Sequence, residues 1–148
     1  MRRLPLLALL ALAALPLPGA AASEFRCVGD GGAVLYDAPS REATPLYVVS
    51  RYYPLEIVTQ TEAWAKVRDQ TGALSWIEKR SLGEKHMVVV VAPRAEARER
   101  AEDAAPVSFT ALQDVALELV GVLPGGWLHV RHADGAEGWL RASLVWGG

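Results

Sequence analysis

The 148-residue sequence contains only one cysteine, Cys27, and three histidines. A single thiol excludes an internal disulfide framework and any zinc site built mainly from cysteine ligands. The sequence also lacks an excess of positive charge, since 15 Lys and Arg stand against 17 Asp and Glu. Nucleic-acid-binding proteins normally carry a basic excess or a basic stripe, so we predict no nucleic-acid partner.

The same composition excludes a disordered chain. Hydrophobic residues make up 51% of the sequence and charged residues 22%, and the formal net charge is -2. Intrinsically disordered chains instead combine low hydrophobicity with high net charge. The composition is therefore that of a globular protein.

One long hydrophobic run is present, near the start of the chain. Two arginines precede an apolar stretch at residues 4–15, and small residues follow and end at Ala22. This order predicts a cleaved signal peptide over residues 1–22, with Ser23 as the first mature residue. A retained anchor helix is the alternative, but a spanning helix needs about 20 apolar residues, and this shorter run contains Pro5. We expect an exported protein, periplasmic or secreted, without stable membrane insertion after cleavage.

Cys27 is predicted to be a buried structural residue. Lipid attachment to a cysteine requires small residues directly before it, and here Phe25 and Arg26 occupy those positions. In an oxidising compartment a single thiol is free, buried or paired between chains. Burial near the start of the first strand is the interpretation that we favour.

The sequence after residue 22 contains the same pattern twice. Trp64 is followed twelve residues later by Trp76, and Trp127 is followed twelve residues later by Trp139. In each copy a valine and an arginine stand three and four residues after the first tryptophan, a glycine turn precedes the second, and a leucine closes the unit. This agreement in order and spacing predicts an internal duplication.

Each copy is predicted to consist of short antiparallel strands joined by turns. Residues 64–68 alternate large polar or aromatic side chains with small apolar ones, as expected for a strand with one buried face. Gly72 and Gly135 stand at hairpin turns, where glycine adopts positive φ without steric cost. About five short strands in about 60 residues favour a small closed barrel, because closure removes exposed sheet edges. We predict one barrel over residues 23–83 and another over residues 84–148.

The order W-x-x-V-R, glycine turn, W-[IL] and closing leucine resembles the bacterial SH3-like (SH3b) domain family, in the tandem form found in exported bacterial proteins. The resemblance covers Phe25 to Trp146. It implies an all-β fold of two tandem small SH3-like β-barrels after the signal peptide. It further implies a non-catalytic binding module of the cell envelope that recognises peptidoglycan or its peptide stems. A protein-protein interaction or scaffolding module for an envelope protein is the alternative, since fold alone does not define function.

Residues 94–105 are predicted to be a charged insertion in the second copy, at the position of the long first loop of SH3-like barrels. The prediction rests on matching Ala38-Pro39 with Ala92-Pro93, each at the end of a β-rich run. The segment consists of good helix formers and contains oppositely charged residues at i,i+4 spacing. We expect a solvated loop with at most a helical turn, and a recognition element is the alternative.

The sequence contains no recognisable catalytic constellation. No predicted helix begins at Cys27, and no G-x-S-x-G elbow or phosphate-binding glycine loop is present. His129 and His132 stand three residues apart on a predicted strand, so they point to opposite faces and cannot readily share a metal ion. We therefore predict a protein that is not an enzyme and has no cofactor and no metal site.

Surface recognition is the function that remains. The strand alternation places aromatic and cationic side chains on the face away from the core, where they provide stacking platforms and hydrogen-bond donors for peptides or sugars. The tryptophans are equally compatible with a structural role as caps of the small barrel cores. The candidate ligand-binding residues are Trp64, Lys66, Arg68 and Trp76 in the first copy, Trp127, His129, Arg131 and Trp139 in the second, and Tyr52 and Tyr53, with Tyr47 expected in the same groove.

Overall fold

The computed structural model describes Gly19 and residues 21–148. The predicted signal peptide therefore lies outside the described residues, except for Gly19, Ala21 and Ala22. Within the described part, strands dominate, and no helix has the length and apolar character needed to cross a membrane.

Seven antiparallel strands form the first sheet, which we call the first domain. The strands are β1 (Glu24–Val28), β2 (Ala33–Tyr36), β3 (Pro45–Val49), β4 (Pro54–Gln60), β5 (Trp64–Arg68), β6 (Leu74–Glu78) and β7 (Leu82–Gly83). Their spatial order is β3-β2-β6-β5-β4-β1-β7, and a 3₁₀ turn at Lys79–Ser81 connects β6 to β7.

A second sheet of seven antiparallel strands forms the second domain. Its strands are β8 (Met87–Val90), β9 (Arg94–Arg98), β10 (Val107–Leu112), β11 (Ala116–Leu123), β12 (Trp127–Arg131), β13 (Glu137–Arg141) and β14 (Val145–Gly147), with a 3₁₀ turn at Ala142–Leu144. The order β10-β9-β13-β12-β11-β8-β14 is that of the first sheet with seven added to each number. The predicted all-β duplication is confirmed.

The alternation of side chains explains why each sheet folds around a core. In the first domain Ala65, Val67 and Ile77 are fully buried, as the sequence pattern predicts, and Leu55 lies with them. The second domain buries Leu117 and other apolar residues in the same way. Full burial of each valine, leucine or isoleucine side chain contributes about 1.5–3 kcal/mol.

The predicted charged insertion at residues 94–105 is wrong. Arg94–Arg98 form the strand β9, and the loop that follows, residues 99–106, has the same length as the loop at residues 37–44 of the first domain. Ala95 and Ala97 point into the core, with exposures of 1% and 0%. Their burial between neighbouring strands outweighs the helix propensity of this segment, because tertiary packing overrides propensity.

The ion pairs of β9 follow the strand repeat instead of the helical one. Glu96 pairs with Arg94 at 2.8 Å and with Arg98 at 2.9 Å, two residues away on either side. Side chains two apart lie on the same face of a strand. The match of Ala38-Pro39 with Ala92-Pro93 is also wrong, since the former pair follows β2 and the latter precedes β9.

The two domains are in contact with each other. The rings of Phe25 and Trp146 meet edge to face with centroids 5.1 Å apart, and the Gln70 side-chain amide donates to Asp114 at 3.0 Å. Gly147 lies so close to Pro54 that an added Cβ would be 2.8 Å from its ring. The domain junction is therefore a surface built from both halves of the chain.

Candidate functional site

Four predicted site residues of the first domain lie on neighbouring strands β5 and β6. Lys66 is opposite Trp76, and its Nζ atom is 6.0 Å from the centre of the indole ring, at the limit of a cation-π contact. Trp64 packs edge to face against Tyr36 with centroids 5.7 Å apart. Both tryptophans are half-buried. They therefore pack against the barrel with one part and face solvent with another.

Arg68, the fourth of these residues, forms an ion pair with another residue of the first domain. Its guanidinium lies 2.7 Å from a carboxylate oxygen of Glu56. A hydrogen bond from the Ser23 hydroxyl and this arginine together hold the pKa of Glu56 below its ordinary value. Glu56 therefore occupies one of the donor nitrogens of this arginine, and 43% of the arginine side chain remains accessible.

The second domain carries a histidine where the first carries Lys66. His129 is opposite Trp139 and stacks on it, with ring centroids 4.6 Å apart and an interplanar angle of 15°. Its Nε2 atom lies 3.1 Å from Glu137, which also accepts a 2.8 Å bond from Arg131. Arg131 in turn lowers the pKa of Glu137. These four residues form one polar network above the sheet.

His132 pairs with a different carboxylate and is not part of this network. Its Nδ1 atom lies 3.0 Å from Asp134, and its ring is tilted against Phe109. Among the described residues, no three His, Cys, Asp or Glu side chains are grouped so as to hold a metal ion.

Trp127 differs from the other tryptophans because it is buried. Its exposure is 8%, and the Cζ atom of Arg141 lies 4.1 Å from its ring centre. Asp103 holds this arginine through two hydrogen bonds of 3.2 and 2.7 Å, and the Gly125 carbonyl accepts a further one at 3.2 Å. Of the two roles that the sequence left open for Trp127, the burial favours that of a core cap.

Around this covered tryptophan lies a pocket of about 290 Å³, which we call the Trp127 pocket. Three arginines and two carboxylates form most of its wall, so the wall carries a positive excess. Arg94 is the most exposed of the three arginines, with 62% of its side chain accessible. The lining residues are Arg94, Glu96, Arg98, Asp103, Trp127, Arg141 and Leu144. Guanidinium groups beside an aromatic ring suit a ligand that carries a carboxylate.

The first domain has a groove at the equivalent position, which we call the first-domain groove. It measures about 280 Å³ and is lined by Gly31, Gly32, Ala33, Val34, Tyr36, Val48, Glu78 and Ser81. Tyr36 pairs with Trp76 as Arg98 pairs with Trp139, which establishes the equivalence. The first-domain groove therefore has glycines, apolar residues and one carboxylate where the Trp127 pocket has arginines.

The two domains also differ in an ion pair between the loop and the sheet, in which the acidic and basic partners are exchanged. In the first domain the loop residue Arg41 pairs with Glu78 on β6 at 2.8 Å. In the second domain the loop residue Asp103 pairs with Arg141 on β13 at 2.7 Å. Each pair holds the loop after the second strand against the sheet, but the charge on the groove floor is opposite. The two grooves consequently favour ligands of different charge.

The expectation that Tyr47, Tyr52 and Tyr53 line one groove is wrong. Tyr53 packs against the core of the first domain, and its burial raises the pKa of its hydroxyl. Tyr47 is exposed on the outer strand β3, and Tyr52 lies in a pocket at the domain junction beside Arg131. The three rings therefore lie in three different surroundings.

The sequence interpretation missed the residues that form the wall of the Trp127 pocket. The predicted loop covers Arg94, Glu96 and Arg98, although these residues alternate with two alanines at the repeat of a strand. That alternation is the signal that would have identified them. The contributions of Asp103 and Arg141 carry no such local signal, because they depend on a contact across 38 residues of sequence.

Cys27 is buried, which confirms the sequence prediction. It lies on β1 with 1% exposure, and burial raises the pKa of its thiol. Its Sγ atom is 3.0 Å from the position that a Cβ would take at Gly83. A nucleophilic cysteine needs a lowered pKa and access to substrate, and this thiol has the opposite properties.

Comparison with known proteins identifies both halves of the chain. The family model described as the bacterial SH3 domain matches residues 29–84 and again residues 91–147. No curated protein matches the sequence.

Two solved structures from Trichomonas vaginalis are similar to the chain. NlpC2 is 15% identical with a TM-score of 0.38, and the match covers 84% of this chain and 48% of that one. NlpC1 is 13% identical with a TM-score of 0.40, and the match covers 93% of this chain and 50% of that one. This chain thus spans about half the length of both solved chains.

Proposed function

The chain belongs to the bacterial SH3 domain family, and from that premise we propose that it is an exported, non-catalytic binding module of the cell envelope. Its ligand in this proposal is peptidoglycan, recognised through the peptide stems. The Trp127 pocket is the observation that carries the proposal, because three arginines and one tryptophan line it, and the guanidinium of Arg141 lies 4.1 Å from the ring centre. Export rests on the signal peptide predicted at residues 1–22.

The charges of the Trp127 pocket favour a peptide that carries carboxylates. Glu96 is shared between Arg94 and Arg98, so neither arginine has a carboxylate to itself. A ligand carboxylate can add to such a pair as a further acceptor, because a guanidinium offers five N–H donors. The first-domain groove complements this, since Gly31 and Gly32 allow a peptide backbone to approach closely.

The state of the candidate nucleophile and bases supports a non-catalytic role. The raised pKa and burial of Cys27 disfavour the thiolate. His129 and His132 each lie beside a carboxylate at the surface, whereas the Cys27 thiol is buried on β1. These residues support the binding of a ligand without a chemical reaction on it.

Retention on purified, insoluble cell-wall sacculi tests the proposal. We expect the mature protein to be retained at moderate salt and Arg94→Glu to bind about tenfold more weakly, because the substitution removes a charge-assisted hydrogen bond. Arg94 is exposed, so the variant should fold as the wild type does. Co-sedimentation at several protein concentrations measures the affinity.

Arg100→Glu is the matched control for this experiment. This substitution makes the same change of charge in the adjacent loop, but Arg100 lies outside the Trp127 pocket. Equal loss of binding in both variants would show a general charge effect and would contradict the assignment of the pocket. Absence of wild-type retention would end the peptidoglycan proposal, and cleavage products in the sacculi would overturn the non-enzyme assignment.

A protein-interaction module is the second candidate, and the edge strand β3 favours it. This strand stands at the end of the first sheet. Leu46, Tyr47 and Val48 are exposed on it, with 84% of Val48 accessible. An exposed apolar edge offers unpaired backbone groups to which a strand from a partner can be added.

Crosslinking in the cell envelope tests this second candidate. If β3 receives a partner strand, a defined adduct should form with the wild type and disappear with Val48→Lys, because edge lysines disfavour strand addition. Val122→Lys is the control, since Val122 is 66% exposed on β11. Adducts of this chain only with itself, or an adduct that both variants lose, would rule out an envelope partner at β3.

A further inference from the structure

The side of the first sheet that faces away from its core is apolar across the neighbouring strands β3, β2, β6 and β5. Val34 lies opposite Val48, and Tyr36 lies opposite Trp76. Trp64 continues the row, since its ring packs edge to face against Tyr36. The residues that alternate with them along the strands are buried in the core. We call this surface the outer face, and its apolar residues are Val34, Tyr36, Val48, Trp64, Leu74 and Trp76.

The second domain has polar residues at several of the same sheet positions. The strand pairing that matches Tyr36 with Arg98 aligns the two sheets residue by residue. At the positions of Val34, Tyr36, Val48 and Leu74, the second domain has Glu96, Arg98, Thr110 and Glu137. Since the second sheet forms with these polar side chains, folding alone does not require an apolar outer face in the first domain. Contiguous exposed apolar patches on soluble proteins mark sites of interaction with proteins, ligands or membranes.

Cations outnumber carboxylates beside the tryptophans of the outer face. The Nζ atom of Lys66 lies 6.0 Å from the centre of the Trp76 ring. Among the ion pairs of the described residues, Lys66 takes part in none. Arg41 and Arg80 are both exposed, and they share one carboxylate, that of Glu78, at 2.8 Å each. Three cations therefore stand against one carboxylate at this place.

Two further carboxylates lie in the loop after β2, at the far end of the outer face from β5. Asp37 accepts a hydrogen bond from the Thr44 backbone N–H, and Glu42 accepts one from the Ser40 hydroxyl. Both are thus held by residues of the loop itself. The positive excess of the outer face is consequently strongest beside Lys66, where the tryptophans are.

The extent and the charge of the outer face favour a lipid surface over a protein partner. Its apolar side chains extend over four strands, which is wider than the single edge that an added strand covers. A second copy docked face to face would bring the same cations together, and like charges disfavour that contact. Tryptophan and tyrosine are enriched at bilayer interfaces, and basic residues are attracted to anionic lipids.

From the exposed apolar row and the cations beside it, we infer that the outer face docks the mature protein on the surface of an anionic phospholipid bilayer. The rings of Trp64 and Trp76 and the side chain of Val48 lie at the level of the headgroups in this arrangement. Lys66 and the two arginines contact lipid phosphates, and the sheet itself stays outside the hydrocarbon. This inference does not depend on peptidoglycan binding, and the Trp127 pocket belongs to the other domain.

Flotation of the mature chain, residues 23–148, with lipid vesicles tests the inference. This chain contains both sheets and lacks the apolar run at residues 4–15, which would bind vesicles by itself. We expect binding to vesicles of equal parts phosphatidylcholine and phosphatidylglycerol, and about tenfold weaker binding to pure phosphatidylcholine, because basic residues gain affinity only from the anionic surface. Binding to the mixed vesicles should also decrease with salt. No binding to the mixed vesicles, or equal binding to both kinds, would overturn the inference.

Two substitutions at Val48, which is 84% exposed, locate the contact. Val48→Glu should weaken binding to the mixed vesicles about tenfold, because an apolar contact is replaced by a charge that anionic lipid repels. Val48→Lys should weaken it by no more than about threefold, since a lysine keeps its stem in the apolar region and its ammonium among the headgroups. Val122→Glu is the matched control on the second domain and should bind as the wild type does. Equal losses in both Val48 variants, or the same loss in the control, would refute lipid docking at the outer face.

A lysine substitution tests the part played by charge. Lys66→Gln should weaken binding to the mixed vesicles about fivefold, the effect of one basic residue near an anionic surface. Lys85→Gln is its control, because Lys85 lies against the Tyr52 ring at the connection between the domains. Unchanged binding of Lys66→Gln would contradict the inference. Analytical ultracentrifugation without lipid supplies the last test, since a wild-type dimer that Val48→Glu dissociates would assign the outer face to a second copy and would overturn lipid docking.

Discussion

Replacing Trp127 with alanine is expected to lower the free energy of unfolding by about 3–5 kcal/mol, the range seen when buried aromatic side chains are truncated. The indole is 8% exposed and lies beneath the guanidinium of Arg141 at 4.1 Å. The substitution removes its apolar burial, the cation-π contact and the support that the ring gives to the loop held by Asp103. Chemical denaturation followed by far-ultraviolet circular dichroism measures the change without depending on tryptophan fluorescence.

Leu112→Ala is the control for this prediction. Leu112 is 64% exposed on the edge strand β10, so its truncation should change the free energy of unfolding by no more than about 0.5 kcal/mol. Trp64→Ala should fall between the two, because Trp64 is half-buried against Tyr36. A Trp127→Ala variant with wild-type stability and lost sacculus binding would show that the ring is a ligand anchor instead of a core cap.

Placing a methyl group at Gly138 is expected to destabilise the second domain by about 1–3 kcal/mol, the usual cost of overpacking. A Cβ there would lie 2.8 Å from the Ala97 Cβ and 3.1 Å from the Arg98 carbonyl oxygen. Neither neighbour is the end of a flexible side chain, so β9 must move away from β13. A decrease of about 4–8 °C in Tm for each kcal/mol is expected for a domain of this size, and differential scanning calorimetry measures it.

Two further variants make the Gly138 experiment specific. Gly31→Ala should be neutral or slightly stabilising, because its Cβ would meet nothing within 4 Å and the substitution restricts the unfolded chain. Combining Gly138→Ala with Ala97→Gly should cost less than the sum of the single substitutions, since the second change removes the clashing methyl group. Strict additivity, or a Gly138→Ala variant as stable as the wild type, would contradict the packing of β9 on β13.

The local sequence pattern was sufficient to predict most of the fold. The equal spacing of the tryptophans and the alternation around Val67 predict strands, their buried face and the duplication, and the sheets confirm all three. These features depend on neighbours in sequence, because the strand repeat places every second residue on one face. The same reasoning placed Lys66 and Trp76 on the face away from the core, and the strand register sets them opposite each other.

The segment at residues 94–98 shows where local pattern failed. Its residues are good helix formers, and intrinsic propensity amounts to less than about 1 kcal/mol for each of them. Pairing with β10 and β13 and the burial of Ala95 and Ala97 supply more than that difference. The wall of the Trp127 pocket was missed for this reason.

By itself the amino-acid sequence determined an all-β chain made of two similar units, because strand periodicity and turn glycines act over a few residues. Only the tertiary structure decided which tryptophan is buried, which charges meet across the grooves and that Tyr52 faces the second domain. Those outcomes depend on contacts between residues far apart in the chain, such as Asp103 with Arg141, and on the packing of one domain against the other. Side-chain burial and charge compensation are properties of the assembled surfaces, so they follow from the fold and not from any single stretch of sequence.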